Sequence, residues 1–148
     1  MKKLFTLLLS LMMILTLTAC GSKEETPVAG ANDETKTYTV GMVCIGNAEM
    51  AYDRNFYNAA DAAKDVLASK GINIEWKYTY DHPEGDPVAD DCIEFAEDGA
   101  IAVFLNSYGM ENAMLRVAGD YPDTVFASLT NEGSKSDDLA NTVNAFPS

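Results

Sequence analysis

Between Tyr38 and Phe146 the chain switches repeatedly between two hydrophobic periods. Tyr38–Ile45 (YTVGMVCI) is dense in strand-forming residues and predicts a β-strand. From Asp53 to Lys70 the apolar positions Phe56, Ala59, Ala60, Ala63, Val66 and Leu67 recur at helical spacing, and Gly71 supplies a stop. Asp53 stands where an N-cap belongs, its side chain able to accept from the next backbone N–H groups. Ile72–Tyr80 alternates, with Ile72, Ile74, Trp76 and Tyr78 on one face. After the loop DHPEGDP, Pro87 suits the first turn of a helix reaching about Asp98, with Val88, Cys92 and Phe95 inward. Ala100–Leu105 (AIAVFL) is short and continuously apolar, the pattern of a strand buried on both faces of a parallel sheet. Helical spacing returns from Tyr108, with Met110, Ala113, Met114 and Val117 on one face, and ends before Pro122. Thr124–Leu129 reads as another strand and Asn141–Phe146 as one more.

Strands alternating with helices predict an α/β fold: a parallel sheet of about four to five strands with helices on both faces. Ligands on such sheets bind beyond the carboxyl ends of the strands, where the strand order switches. That edge gathers Gly46–Phe56, Thr79–Asp86, Asn106–Tyr108, Thr130 and Asn131. Phe56 and Tyr108 are candidate stacking walls there. Asp53, Asn58 and Asn106 are candidate polar contacts. The chemistry of an enzyme is missing from the pattern. There is no G-x-S-x-G, no phosphate-cradling glycine loop, and no histidine placed to activate a nucleophile. His82, the only histidine, lies among Asp81, Glu84 and Asp86 without an ordered ligand repeat, so the loop reads as solvated rather than metal-binding. No cofactor is implied.

The first residues change the picture from fold to address. Lys2 and Lys3 precede an uncharged run, Leu4–Leu17, too short for a typical spanning helix and suited to a secretory leader. Leu17-Thr18-Ala19-Cys20 resembles a bacterial lipobox, which implies lipidation at Cys20 and residues 1–20 as a lipoprotein signal peptide. Acyl chains there would anchor the chain on the extracytoplasmic face of a bacterial cell membrane. Residues 21–37 (GSKEETPVAGANDETKT) are polar and aperiodic, a flexible tether. Residues 38–148 then form the folded domain. The formal charge is −13, and loss of Lys2 and Lys3 with the leader takes it to −15. Such a surface repels phosphate backbones and excludes nucleic acid as a partner. Cys44 and Cys92 both fall on inward-facing positions and read as two buried thiols rather than a bridge.

The order of the motifs adds a resemblance. The lipobox, YTVGMV, a D-x-x-F opening a helix (Asp53, Phe56), FLNSYGMENAM, DYPDTVFASL and NTVNAF resemble the basic membrane lipoprotein family over Tyr38–Phe146. Tyr121-Pro122-Asp123 with Phe126 is the most specific piece. The resemblance implies a type I periplasmic-binding-protein fold, a small-solute ligand with nucleosides favoured, and an ABC permease as partner. It places Asp53 and Phe56 at the ligand. Tyr108 stands at a family phenylalanine, and Thr130 at a family aspartate that meets a sugar hydroxyl. The family has two lobes, so the expectation is the N-terminal lobe alone, with the second lobe absent. The alternative is an interaction lobe that binds no solute and docks on a permease, a receptor or a second copy of itself.

Overall fold

The computed structural model describes residues 36–130 and 139–145. The leader, Cys20 and the tether up to residue 35 lie outside the described residues, as does Phe146. The chain from Glu34 to Ser148 forms one compact unit. Its elements are β1 (Thr37–Val43), α1 (Ala51–Ala68), β2 (Asn73–Thr79), α2 (Val88–Glu97), β3 (Ala102–Leu105), a short 3-10 turn (Tyr108–Met110), α3 (Glu111–Ala118), β4 (Val125–Ser128) and β5 (Thr142–Asn144). The α/β expectation holds: the five strands are all parallel, in the order β2-β1-β3-β4-β5. Helix starts and stops follow local chemistry. Gly71 and Gly99 take positive φ of 79° each, the left-handed conformation that glycine adopts without steric cost just past a helix end.

Register settles which side chains share a face. Trp76, Val40, Ala102 and Val125 are aligned across β2, β1, β3 and β4. Tyr78, Met42, Phe104, Ala127 and Val143 are aligned across all five strands. The opposite face carries Val43, Val103, Leu105 and Phe126, buried in one cluster with Val88, Cys92 and Phe95 of α2 and Ala113, Met114 and Val117 of α3. Every inward position expected on these two helices is buried. At about 1.5–3 kcal/mol per large apolar side chain removed from water, this cluster supplies most of the domain's hydrophobic stabilisation.

The other face departs from expectation in two ways. The helical stripe of α1 is mostly open: only Ala60 among its predicted apolar positions is buried, and Val66 is 53% exposed. β3 is buried on one face rather than two, since Ala102 and Phe104 are only partly covered. Both departures share a cause. α1 packs over β2 and the neighbouring part of β1, and among the described residues no helix lies over β3, β4 and β5 on that side. Cys44 belongs to this smaller cluster with Met42 and Ala60, while Cys92 belongs to the larger one, so the two thiols are free as expected. Burial pushes them up, Cys44 to about 11 and Cys92 to about 12.

Candidate functional site

β1 has β2 on one side and β3 on the other, and the helices leaving β1 and β3 lie on opposite faces. The loops at their carboxyl ends therefore diverge, which is where a crevice opens in this class of sheet. A buried polar clamp holds the crevice floor. Asp53 Oδ1 accepts from the Gly46 N–H at 3.1 Å and from Asn106 Nδ2 at 2.7 Å. Asn106 Oδ1 in turn accepts from the Ile45 N–H at 2.9 Å, and the Tyr52 hydroxyl donates to the Asn106 carbonyl. Asp53 and Asn106 are both fully buried, and Asp53 Oδ2 is left without a partner. The close approach demands glycine at position 46. A Cβ there would stand 2.5 Å from Asp53 Oδ2 and 2.2 Å from Met50 Sδ.

Asp53 is not the N-cap. The capping position is Met50, which makes no side-chain cap bond, and Asp53 is the third residue of α1. Its carboxyl group turns back to the β1 loop and across to β3 instead of serving its own helix's N–H groups. Burial explains the preference: the Gly46 N–H and the Asn106 amide need partners away from water, whereas first-turn N–H groups of an exposed helix end meet solvent.

The remaining loops are tied to this floor. Asn47 Nδ2 donates to both oxygens of Asp81 at 2.7 and 3.0 Å, joining the loops after β1 and β2. Glu84 Oε1 accepts from the Ser107 hydroxyl and from the Gly109 N–H at 2.8 Å, joining the loops after β2 and β3. These bonds, the Ser107 hydroxyl first, hold the Glu84 carboxyl below its ordinary range. His82 is not simply solvated as its loop composition suggests. Its Nε2 lies 2.7 Å from Asp91 Oδ2 on α2, and both side chains are largely covered. Burial raises Asp91, partly opposed by the His82 ring. Among the described residues no group of three or more His, Cys, Asp or Glu side chains could hold a metal ion.

The expected site residues divide into groups. Asp53 and Asn106 meet directly. Phe56 is half-buried and edge-on to the Tyr52 ring, with centroids 5.2 Å apart. Tyr108 stands at the strand edge, 70% exposed. Thr130 follows β4, half-buried, with its hydroxyl lacking a partner. Asn58 is apart from the others: it is exposed on α1, two residues and so about 200° around the helix from Phe56. Sequence reasoning missed Glu84 and the tie between Asn47 and Asp81. The doubly wound pattern had placed both loops at this edge, but pairing between loops leaves no periodic trace. The groups present can hydrogen-bond and stack. Ser107 Oγ donates to the Glu84 carboxylate, which ties the loop after β3 to the loop after β2.

No family model and no curated protein matches the sequence. Solved structures do match. An ABC transporter system solute-binding protein from Conexibacter woesei DSM 14684 superposes with a TM-score of 0.53 over 72% of this chain at 19% identity. A chain from Peptoclostridium difficile 630, described as a fragment of a lipoprotein, superposes with a TM-score of 0.56 over 74% of this chain at 17% identity. The match spans 34% of the first protein's length and 84% of the second's. The α/β sheet flanked by helices is thus a solute-binding-protein-like fold.

Proposed function

We propose that this chain is an extracytoplasmic substrate-binding lipoprotein of an ABC importer, with residues 1–20 as its signal peptide, a lipid anchor at Cys20 and a tether that ends before β1 begins at Thr37. Its domain, from β1 onward, takes a nucleoside or similar small solute at the carboxyl edge of the sheet. The observation that carries this reading is the clamp at the β1–β3 divergence, where a fully buried Asp53 keeps one oxygen unpartnered beside aromatic side chains. Asp53, Asn106 and Thr130 supply the polar contacts, and Asn58, on the solvent side of α1, supplies none. Phe56 and Tyr108 supply stacking surfaces. The likeness to an ABC solute-binding protein supports the same role, and the chemistry at the edge is recognition rather than catalysis.

Thermal melts of the chain from Ser22 onward, with and without purine and pyrimidine nucleosides and simple sugars, test it. A ligand at a hundred times its Kd adds ~2.7 kcal/mol to the native state. A rise in Tm with one nucleoside, reduced in Phe56→Ala, is expected. A cooperative melt indifferent to the whole panel would remove the solute-binding reading. A second reading, a lobe that docks on another protein and takes no solute, is favoured by the uncovered apolar face of the sheet.

A further inference from the structure

Around the clamp, the hydrogen-bond donors are engaged inside the protein. The Gly46 N–H and one amide hydrogen of Asn106 go to Asp53, and the Ile45 N–H goes to Asn106 Oδ1. The Tyr52 hydroxyl goes to the Asn106 carbonyl. The Ser107 hydroxyl and the Gly109 N–H both go to Glu84 Oε1. What stays open at the mouth of the crevice is an acceptor. Glu84 is exposed, and its Oε2 carries no hydrogen bond or ion pair among the described residues. An ionised carboxylate can only accept. The bonds to Oε1 hold this one below its ordinary range, so it is ionised at neutral pH.

The carboxylate is also aimed. Ser107 and Gly109 grip Oε1 from either side of Tyr108 in the chain, so the exposed Tyr108 ring is carried on the turn that holds the acid. Gly109 leaves the space for it: a Cβ there would stand 2.5 Å from Glu84 Cδ and 2.6 Å from Oε2. Tyr52, edge-on to Phe56, is within reach of the same charge. Burial first, then the charges of Asp53 and Glu84, hold its hydroxyl above the ordinary range. A flat ring laid against these aromatic side chains meets an acceptor at its edge.

We propose that Glu84 determines specificity at this site, its Oε2 accepting a hydrogen bond from an amino group on the solute's flat ring. The inference rests on the solute-binding reading above and narrows its ligand. An amino-substituted base is taken in preference to the same base with hydrogen in that place. The amino group pairs with the acid, whereas a C–H strips it of water and returns nothing. A ring carbonyl in that position sets acceptor against acceptor.

Isothermal titration of the chain from Ser22 onward, which retains the whole compact unit, tests it. The probes are adenosine, guanosine and cytidine, each against the analogue with hydrogen in place of its exocyclic amino group. Each amino nucleoside that binds should do so roughly tenfold or more tightly than its analogue. Glu84→Gln keeps an acceptor for Ser107 and Gly109 and turns a donor outward, so the ratio should fall to about one while the melt stays cooperative. Gly109→Ala keeps the charge and displaces it, and should lower the ratio in the same direction. A residue that merely tied two loops would leave the ratio unmoved in both variants. Equal binding within every pair by the parent, or a ratio that survives Glu84→Gln, would overturn the proposal. Binding confined to uridine or simple sugars would overturn it too, and leave the solute-binding reading standing. A cooperative melt with no binding to any of these compounds would remove both.

Discussion

On one face of the sheet Val43, Val103, Leu105 and Phe126 are completely buried beneath α2 and α3. On the other, Val125 and Val143 stand nearly half exposed, although the residues aligned with them are as apolar. Alternation along a strand encodes what a face needs; the cover itself has to come from elements elsewhere in the chain or outside it. Two faces of similar composition can thus differ in their contribution to stability, because free energy follows the area removed from water.

Substitution measures that difference directly. Phe126→Ala should cost about 3–5 kcal/mol, read from urea denaturation, whereas Val143→Ala should fall within about 0.5 kcal/mol of the parent. Similar losses at the two positions would break the contrast. Next in size comes the polar clamp between the faces. Asn106→Ala leaves Asp53 with a single donor and the Ile45 N–H without its acceptor, and about 2–3 kcal/mol of stability should go. Asn58→Ala, on the solvent side of α1, should change almost nothing.

Glu84 gives a smaller, pH-dependent effect. Its carboxyl is held below the ordinary range in the folded state, so its contribution is present above that range and disappears as pH falls through the folded value. Melts of the parent and Glu84→Gln should differ at pH 7 and converge only in acid below the ordinary glutamate range, as pH falls through the lowered folded value. Convergence at neutral pH instead would show that the tie to Ser107 and Gly109 adds nothing. The smallest expected effect is a rate. Cys44, under the thinly covered face and pushed up to about 11, should react with a neutral maleimide before Cys92, pushed up to about 12 under the closed one. Mass spectrometry of a time course gives the order, and simultaneous modification would mean that global unfolding exposes both.

Much of the architecture was legible before any coordinates because period and punctuation agreed. The stripes Val88-Cys92-Phe95 and Met110-Ala113-Met114-Val117 found the core they pointed to. Gly71 and Gly99 ended their helices with the backbone sign expected of them. The stripe on α1 was equally clear and found little to bury against, since a pattern reports one surface and not its partner. AIAVFL formed its strand inside the parallel sheet but is covered on one face only, for the same reason. At the strand ends, the doubly wound order gathered the right loops, yet the roles of individual side chains followed tertiary demand. Asp53 had every local mark of an N-cap and was taken by Gly46 and Asn106 because those groups are buried. His82 found Asp91 on the next helix, a pairing across the loop that composition does not encode.

The placement of β1 has a consequence for the order in which the domain can be built. Of the described strands β1 is the first to leave the ribosome, and it lies inside the sheet, with β2 and β3 as its parallel partners. No local hairpin can shelter it, and it gains its first neighbour only after α1 and Asn73 have emerged. Both its edges stay free until then, and the β3 side stays free until Ala102 arrives. Synthesis therefore passes through a stage in which an apolar strand offers two open ladders to any other chain, and the interval lengthens as elongation slows.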